Sequence, residues 1–205
     1  MSTEDQKNTS VNVTRRKILT GATGVVGAVG ATFLAVPFVS SWQPSEKAKA
    51  AGAPVNADVS QLQPGQMLTV SWRGIPVWVV RRTPEMLALL AEENGSLRDP
   101  ASDESKQPEY CKNNTRAVKD EYLVVSGICT HLGCAPLYRP AVGSPDMSAD
   151  WEGGFFCPCH GSRFDLAGRV FQSVPAPTNL DIPPHHFISE NVIRIGEDPV
   201  EGGGA

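Results

Sequence analysis

The sequence predicts a mainly β, antiparallel domain with one inserted helix, preceded by a single N-terminal transmembrane helix. Three observations predict this organisation: a long uncharged run near the N-terminus, short apolar runs bounded by turn residues, and the 17 prolines and 19 glycines among 205 residues. A hydrophobic share of 40% and a charged share of 20% are typical of globular proteins. This composition excludes a wholly disordered, collagen-like or multi-span membrane protein.

Residues 18–39 form a run without a charged side chain, ILTGATGVVGAVGATFLAVPFV. At the 1.5 Å rise of an α-helix this run reaches about 33 Å, which is enough to cross the hydrocarbon core of a bilayer. The basic residues 15–17 precede the run, and Trp42 follows it as an interfacial aromatic. The positive-inside rule therefore predicts a cytoplasmic N-terminus, with the body of the chain outside the cytoplasm.

Residues 14–19, TRRKIL, have the form of a twin-arginine export signal, which serves chains that are exported already folded. A cleaved signal peptide and an uncleaved anchor both fit. The tripeptide AKA at 48–50 resembles a cleavage site, but it lies well beyond the apolar run, which favours the anchor. We predict a cytoplasmic segment over 1–17, a transmembrane anchor over 18–42 and a tether, either flexible coil or transient helix, over 43–54.

Charge is distributed unevenly between the two parts of the chain. Residues 1–54 carry six Lys/Arg and three Asp/Glu, whereas residues 55–205 carry 12 and 19. An acidic body argues against nucleic acid as a partner and is compatible with a basic protein partner.

The body begins with a predicted β-hairpin. The apolar runs LTVSW (68–72) and IPVWVVRR (75–82) flank Arg73 and Gly74, which are turn residues. Further short strands are predicted at 121–128, 154–157, 168–171 and 191–195.

The inserted helix is predicted at 83–90, TPEMLALL. Thr83 is suited to the N-cap and Pro84 to the first helical position, and Glu85 is an acidic residue in the first turn. Residues 94–120 are polar and irregular. Cys111 in that segment, and the His-His pair at 185–186, are expected to be bystanders rather than ligands.

Two short motifs, CTHLGC (129–134) and CPCHGS (157–162), contain four of the five cysteines. Each follows a predicted strand and places Cys and His on one tight turn, and Gly133 and Gly161 allow the backbone to bend closely around a common centre. The pairing of Cys-X-His with Cys-X-X-His matches the mixed ligation of a Rieske [2Fe–2S] centre. A structural zinc site would leave two cysteines unexplained, and two plain disulfides would leave both histidines unexplained.

Together with VPAPTNL (174–180), these motifs resemble the Rieske subunit of bacterial ubiquinol–cytochrome c oxidoreductase, respiratory complex III. The resemblance covers nearly the whole chain, including the signal anchor, the tether, the TPEM helix, both motifs and the proline loop. It implies an antiparallel β-sandwich Rieske domain over 55–205, with a cluster-binding subdomain at about 127–178.

The resemblance implies a ligand set for one [2Fe–2S] cluster. Cys129 and Cys157 would bind one iron, and His131 and His160 would bind the other. Two neutral imidazoles in place of two thiolates leave the oxidised site uncharged rather than at −2, which raises the reduction potential. Reduction then makes a ligand imidazole more basic, so an exposed one can take a proton from quinol. The resemblance favours His160 for this contact, with His131 beside it.

Further residues acquire roles from the same resemblance. Cys134 and Cys159 would form a disulfide between the loops, which suits an oxidising compartment. Ser162 would hydrogen-bond the cluster, Leu132 would lie at the docking tip, and Pro175 would lie in a loop that covers the cluster.

The sequence departs from the family pattern at two positions. Phe164 stands where many mitochondrial members have a tyrosine that donates to a ligand sulfur, and Val174 replaces the glycine that usually precedes the proline loop. The first change removes a sulfur hydrogen bond and predicts a lower potential. The second puts the flexibility of the proline loop in question.

The resemblance also implies the partners and the location. Cytochrome b, a c-type cytochrome and ubiquinol would be the partners in a dimeric complex, with a single-pass anchor in the bacterial inner membrane and a periplasmic head. The alternative is the Rieske electron-transfer subunit of a periplasmic oxidase such as arsenite oxidase, which the retained anchor and the TPEM helix disfavour. A Rieske oxygenase is disfavoured because the chain has no room for a mononuclear iron domain.

Overall fold

The computed structural model describes residues 12–91, 95–148 and 151–199. The chain divides into two compact units, residues 1–49 and 50–205, and the division falls within the predicted tether. The first eleven residues of the predicted cytoplasmic segment 1–17 lie outside the described residues.

The first unit consists mainly of helix α1, Val13–Ser40, whose residues are all exposed. The Asn12 side chain accepts a hydrogen bond from the Arg15 amide at 3.1 Å and caps its start. The hydroxyls of Thr20 and Thr32 donate to carbonyls one turn earlier, so neither polar group depends on solvent. By length and composition α1 is able to cross a membrane, as the uncharged run predicts.

A short helix, α2, spans Glu46–Ala51 inside the predicted tether. An exposed ion pair joins Lys49 to Glu46 within this short helix, at 2.8 Å. Such pairs contribute little to stability, and a helix this short is marginal in isolation. Part of the segment 43–54 is thus helical, which is one of the two predicted alternatives. The role of this segment as a tether stays a prediction.

The second unit contains three antiparallel sheets of three strands each, with one α-helix and a 3-10 turn, among the residues described. The sheets have the orders β1-β9-β8, β2-β3-β4 and β5-β6-β7. The elements in chain order are β1 Val55–Asp58, β2 Met67–Trp72, β3 Ile75–Arg81, α3 Pro84–Ala91, the 3-10 turn Glu109–Cys111, β4 Tyr122–Ser126, β5 Leu137–Arg139, β6 Gly154–Cys157, β7 Ser162–Phe164, β8 His185–Ser189 and β9 Val192–Ile195. This mainly β, antiparallel architecture confirms the predicted fold class.

The central strand β3 is buried on both faces, which explains its continuous apolar run. Val77 and Val79 pack into a core shared with β1 and β9. Trp78 and Val80 point to the opposite face and pack into a second core, shared with β6 and β7. The second core is where the sheet supports the cysteine motifs, since Trp78 stacks on Phe155 of β6 with ring centroids 5.3 Å apart.

Local sequence signals account for the hairpin and the inserted helix. Arg73 and Gly74 join β2 to β3, and both have positive φ, 52° and 76°, as a two-residue hairpin turn requires. The Thr83 hydroxyl accepts a hydrogen bond from the Met86 amide at 3.3 Å and caps α3. Both predictions are confirmed.

The predicted strand at 168–171 is wrong. Asp165 accepts hydrogen bonds from the amides of Ala167 and Arg169, at 2.8 and 2.7 Å, and so folds the chain into a turn directly after β7. Val170 and the residue after it form only isolated bridges. Local side-chain bonding to the backbone therefore replaces the strand that the apolar residues predicted.

Two buried arginines hold loops together where no regular structure does. Arg116 donates hydrogen bonds to three backbone carbonyls, those of Ala167, Gly168 and Leu180 at 3.1, 3.2 and 2.9 Å. Arg82 binds loop carbonyls in the same way. Burial lowers the pKa of each guanidinium to about 10, and both remain charged at neutral pH.

His185 is expected to make the free energy of unfolding of the second unit depend on pH. Its ring is fully buried in the edge strand β8, Nδ1 lies 2.9 Å from the Pro183 carbonyl, and Nε2 contacts no partner within the described chain. Burial lowers the pKa of His185 below its ordinary value, and the Pro183 carbonyl opposes this shift only in part. The folded state thus binds fewer protons than the unfolded state at mildly acidic pH.

We therefore expect the free energy of unfolding of the second unit to fall as pH drops below about 6.5, with a limiting slope of about 1.4 kcal/mol per pH unit. His185→Asn retains a donor near Nδ1 but cannot titrate, so it should flatten this slope in urea denaturation series. The control His186→Asn should keep the slope because it leaves His185 in place. Equal slopes in the wild type and His185→Asn would contradict the assignment.

Candidate metal centre

The two cysteine motifs form loops with the same internal geometry, which we call the first loop (129–134) and the second loop (157–162). In the first loop the Gly133 amide donates to the Cys129 carbonyl at 3.0 Å, and in the second loop the Gly161 amide donates to the Cys157 carbonyl at 2.9 Å. Both glycines are left-handed, with φ of 84° and 77°, a conformation that other residues adopt at a cost. In each loop the cysteine therefore begins the turn, and the histidine lies within the turn.

A disulfide between Cys134 and Cys159 joins the two loops, with the Cα atoms 6.7 Å apart. This pairing is the one that the resemblance implied. The sulfurs of Cys134, Cys157 and Cys159 lie within 4.8 Å of one another, but two of them are bonded to each other and so are not free to bind a metal. The disulfide therefore holds the loops together immediately beside the free Cys157 thiol.

The histidines of the two loops meet at the surface. The rings of His131 and His160 are perpendicular, with centroids 4.7 Å apart. His160 is exposed, whereas Nδ1 of His131 is buried and has no hydrogen-bond partner among the described residues. A buried ring nitrogen without a partner is unfavourable, and a bound metal ion would satisfy it.

The free thiols of Cys129 and Cys157 lie side by side in the core, and each is at most 2% exposed. Burial raises the pKa of the Cys129 thiol, and the adjacent Cys157 raises it further. The nearby His131 amide and Ser162 hydroxyl lower the pKa of the Cys129 thiol and so oppose this shift. A bound cation would stabilise both thiolates, so two thiols and two imidazoles here fit a mixed-ligand [2Fe–2S] cluster.

The outer end of the site is exposed. Leu132 is 72% exposed, and Gly133, His160 and Pro175 are also exposed. The thiols are buried at the inner end, so the site presents imidazole and apolar groups outward and encloses its sulfurs.

The proline loop, residues 174–178, is attached to both loops. The Thr130 hydroxyl donates to the Thr178 carbonyl at 2.7 Å, and the Ala176 amide donates to Ser162 Oγ at 3.1 Å. Thr130 was not singled out in the sequence, because a threonine next to a cysteine of the motif has no distinguishing local signal. Cys111 is buried outside the site, and burial raises the pKa of its thiol to about 12.

The fold and the site define a Rieske-type iron–sulfur protein, and comparison with protein families agrees. A family described as "Rieske [2Fe-2S] domain" matches residues 53–184, and one described as "Ubiquitinol-cytochrome C reductase Fe-S subunit TAT signal" matches residues 5–45.

Similar proteins define the family more narrowly. The "Ubiquinol-cytochrome c reductase iron-sulfur subunit" of Allochromatium vinosum is 62% identical, covering 92% of this chain and 91% of that protein. The subunit of the same name from Blastochloris viridis is 42% identical, covering 91% and 95%. A solved structure titled "Hyperthermophilic respiratory Complex III" contains a chain that is 29% identical, with a TM-score of 0.46 and coverage of 86% and 98%. The chain belongs to the family of ubiquinol–cytochrome c reductase iron–sulfur subunits.

Proposed function

We propose that this chain carries single electrons from ubiquinol to a c-type cytochrome, using a [2Fe–2S] cluster held by Cys129, Cys157, His131 and His160. When bound, the cluster supplies a one-electron acceptor. The observation that carries the proposal is the pairing of two buried free thiols with two adjoining imidazoles, one of them exposed. Members of the family are named as iron–sulfur subunits of ubiquinol–cytochrome c reductase. These names support ubiquinol as the electron donor and a c-type cytochrome as the electron acceptor.

The residues at the inner end tune the acceptor. Reduction adds negative charge, part of which resides on the ligand sulfurs, and hydrogen bonds to sulfur stabilise that charge. The Ser162 hydroxyl and the His131 amide lie near the Cys129 sulfur and lower the pKa of its thiol. We expect both groups to hydrogen-bond the centre and so to raise its reduction potential toward the value that quinol oxidation needs.

The outer end receives the quinol. The exposed ring of His160 can accept a hydrogen bond from a quinol hydroxyl and hold the proton that leaves it. Leu132 and Pro175 add apolar surface on which a quinone ring can rest. Proton and electron thus leave the quinol at the same end of the chain.

The two units of the chain are assigned to two locations. Helix α1 would anchor the chain in the bacterial inner membrane with its N-terminus in the cytoplasm, because the basic residues 15–17 precede it. Residues 50–205 would form a periplasmic head, where an oxidising compartment preserves the disulfide between Cys134 and Cys159. Cytochrome b and a c-type cytochrome would be the partners in a dimeric complex.

The central test is spectroscopic. Membranes that contain the assembled complex should develop a low-temperature EPR signal of a reduced [2Fe–2S] cluster when ubiquinol is added. Cys129→Ser should abolish the signal by removing a ligand, whereas the matched change Cys111→Ser, at a buried cysteine outside the loops, should preserve it. Folded wild-type protein that contains zinc, or no metal at all, would refute the proposal. Reduction by a periplasmic oxidase but not by ubiquinol would favour the arsenite oxidase alternative.

The tether prediction concerns movement of the head between two partners. Replacing residues 48–53 with prolines should slow quinol–cytochrome c turnover at least tenfold, because a stiff segment restricts the reach of the head. The EPR spectrum of the cluster should not change. A control in which the same residues become glycine and serine should retain turnover. Normal turnover in the proline variant would show that the segment need not move.

Phe164 provides a test of sulfur hydrogen bonding. It is fully buried in β7, two residues after Ser162 and hence on the same face of the strand. Phe164→Tyr should add a hydrogen bond of about 1 kcal/mol to the reduced site, and this raises the midpoint potential by about 40 mV. The control Phe171→Tyr should leave the potential unchanged. A voltammogram of Phe164→Tyr with an unchanged or lower midpoint would exclude the effect.

A further inference from the structure

The proline loop, 174–178, cannot hold itself in place. Pro175 and Pro177 have no amide hydrogen, and no regular strand or helix includes the loop. Its buried residues, Val174 and Ala176, still present backbone carbonyls that need donors. The loop must therefore be fixed by groups from elsewhere in the chain.

Arg98 supplies two of these groups from the polar segment 95–105. Its Nη1 donates to the Ala176 carbonyl at 2.8 Å and its Nη2 donates to the Val174 carbonyl at 3.0 Å. These two carbonyls flank Pro175, the exposed tip of the loop. The planar fork of a guanidinium can bind two acceptors at once, which an ammonium group cannot do in the same fixed geometry.

The backbone around Arg98 is itself fixed to the second core. The Arg98 amide donates to the Val170 carbonyl at 2.9 Å, and the Gln172 amide donates to the Ser96 carbonyl at 2.7 Å. Leu97 is buried and bridges Phe171. The Arg98 side chain is exposed, but these contacts fix the backbone from which it extends.

The same segment also holds the far end of the loop. Asn179 is fully buried, and its Nδ2 donates to the Asp99 carbonyl and to Ser102 Oγ, both at 2.9 Å. The Asn179 amide donates to Ser105 Oγ at 3.0 Å. Segment 95–105 thus attaches to the proline loop on both sides.

Ala176 connects this support to the metal centre. Its carbonyl is held by Arg98, and its amide donates to Ser162 Oγ at 3.1 Å. A hydroxyl has one hydrogen to donate, and a lone pair that accepts from Ala176 leaves that hydrogen free for another acceptor. Ser162 is fully buried, and its hydroxyl lies close enough to the Cys129 thiol to lower the pKa of that thiol.

We propose that Arg98 is a positioning residue for the metal centre: by holding the carbonyls on either side of Pro175, it keeps the Ala176 amide on Ser162 and so orients the Ser162 hydroxyl toward the centre. The inference rests on the proposed role of Cys129 as an iron ligand. It assigns a function at the centre to a residue about thirty positions before the first loop, in a segment that sequence patterns mark only as polar and irregular.

The test is a redox titration of the assembled complex, followed by EPR. Arg98→Gln loses the fork and the charge, so the ratio of reduced to oxidised cluster at a fixed ambient potential should fall about threefold, which is about 30 mV in midpoint. Arg98→Lys keeps the charge without the fork and should recover less than half of this shift. The control Arg139→Gln removes an arginine that pairs with Asp146 rather than with the proline loop, and it should not change the midpoint.

Hydrogen exchange supplies a second readout that does not depend on redox chemistry. The Ala176 amide donates to Ser162 Oγ, and its exchange should accelerate at least tenfold in Arg98→Gln but not in Arg139→Gln. Faster exchange with an unchanged midpoint would overturn the proposal and leave Arg98 a purely structural role. Full recovery of the midpoint in Arg98→Lys would overturn it too, because charge alone would then account for the shift. Failure of the proposed function would differ, since the wild-type complex would itself lack the EPR signal.

Discussion

The arrangement of the two loops depends on the enclosure of two thiols, Cys129 and Cys157, side by side in an apolar core. Two thiolates cannot persist in such a place without a compensating cation, and two neutral thiols would gain little from the contact. The surrounding loops are arranged as a metal cavity requires. Each is closed by a glycine amide, and a disulfide joins them. Burial of the sulfurs therefore fits a bound metal centre better than two free thiols.

Enclosure of the sulfurs also makes the buried end and the exposed end of the centre chemically different. The thiols share a core with Trp78 and Phe155, whereas His160 and Leu132 are exposed. Groups at the inner end can adjust the stability of added negative charge without meeting substrate. Groups at the outer end can meet substrate and take a proton without disturbing the core. The separation allows potential and recognition to be tuned by different residues.

The sequence predicted the parts of this structure that obey local rules. The hairpin at Arg73 and Gly74, the cap at Thr83 and the two cysteine motifs are each recognisable within a few residues. The predicted strand at 168–171 failed because Asp165 binds the backbone amides that a strand would have used. The proposed ligand assignment rests on the motifs and the resemblance, whereas the contacts of Arg98 and Arg116 join residues 50 to 80 positions apart and leave no periodic signal.

Those long-range contacts share one form, in which an arginine satisfies the carbonyls of a loop that lacks regular structure. Arg116 does this for the turn that follows β7, and Arg98 does it for the proline loop. On the proposed role of Ser162, the centre needs loops that hold their shape, yet Pro175 and Pro177 lack the amide hydrogens that would normally help to hold the proline loop. Side chains from the polar, irregular segment 94–120 supply hydrogen bonds to these loops instead. On this proposal the irregular segment is part of the electron-transfer site, because it fixes the backbone that orients Ser162.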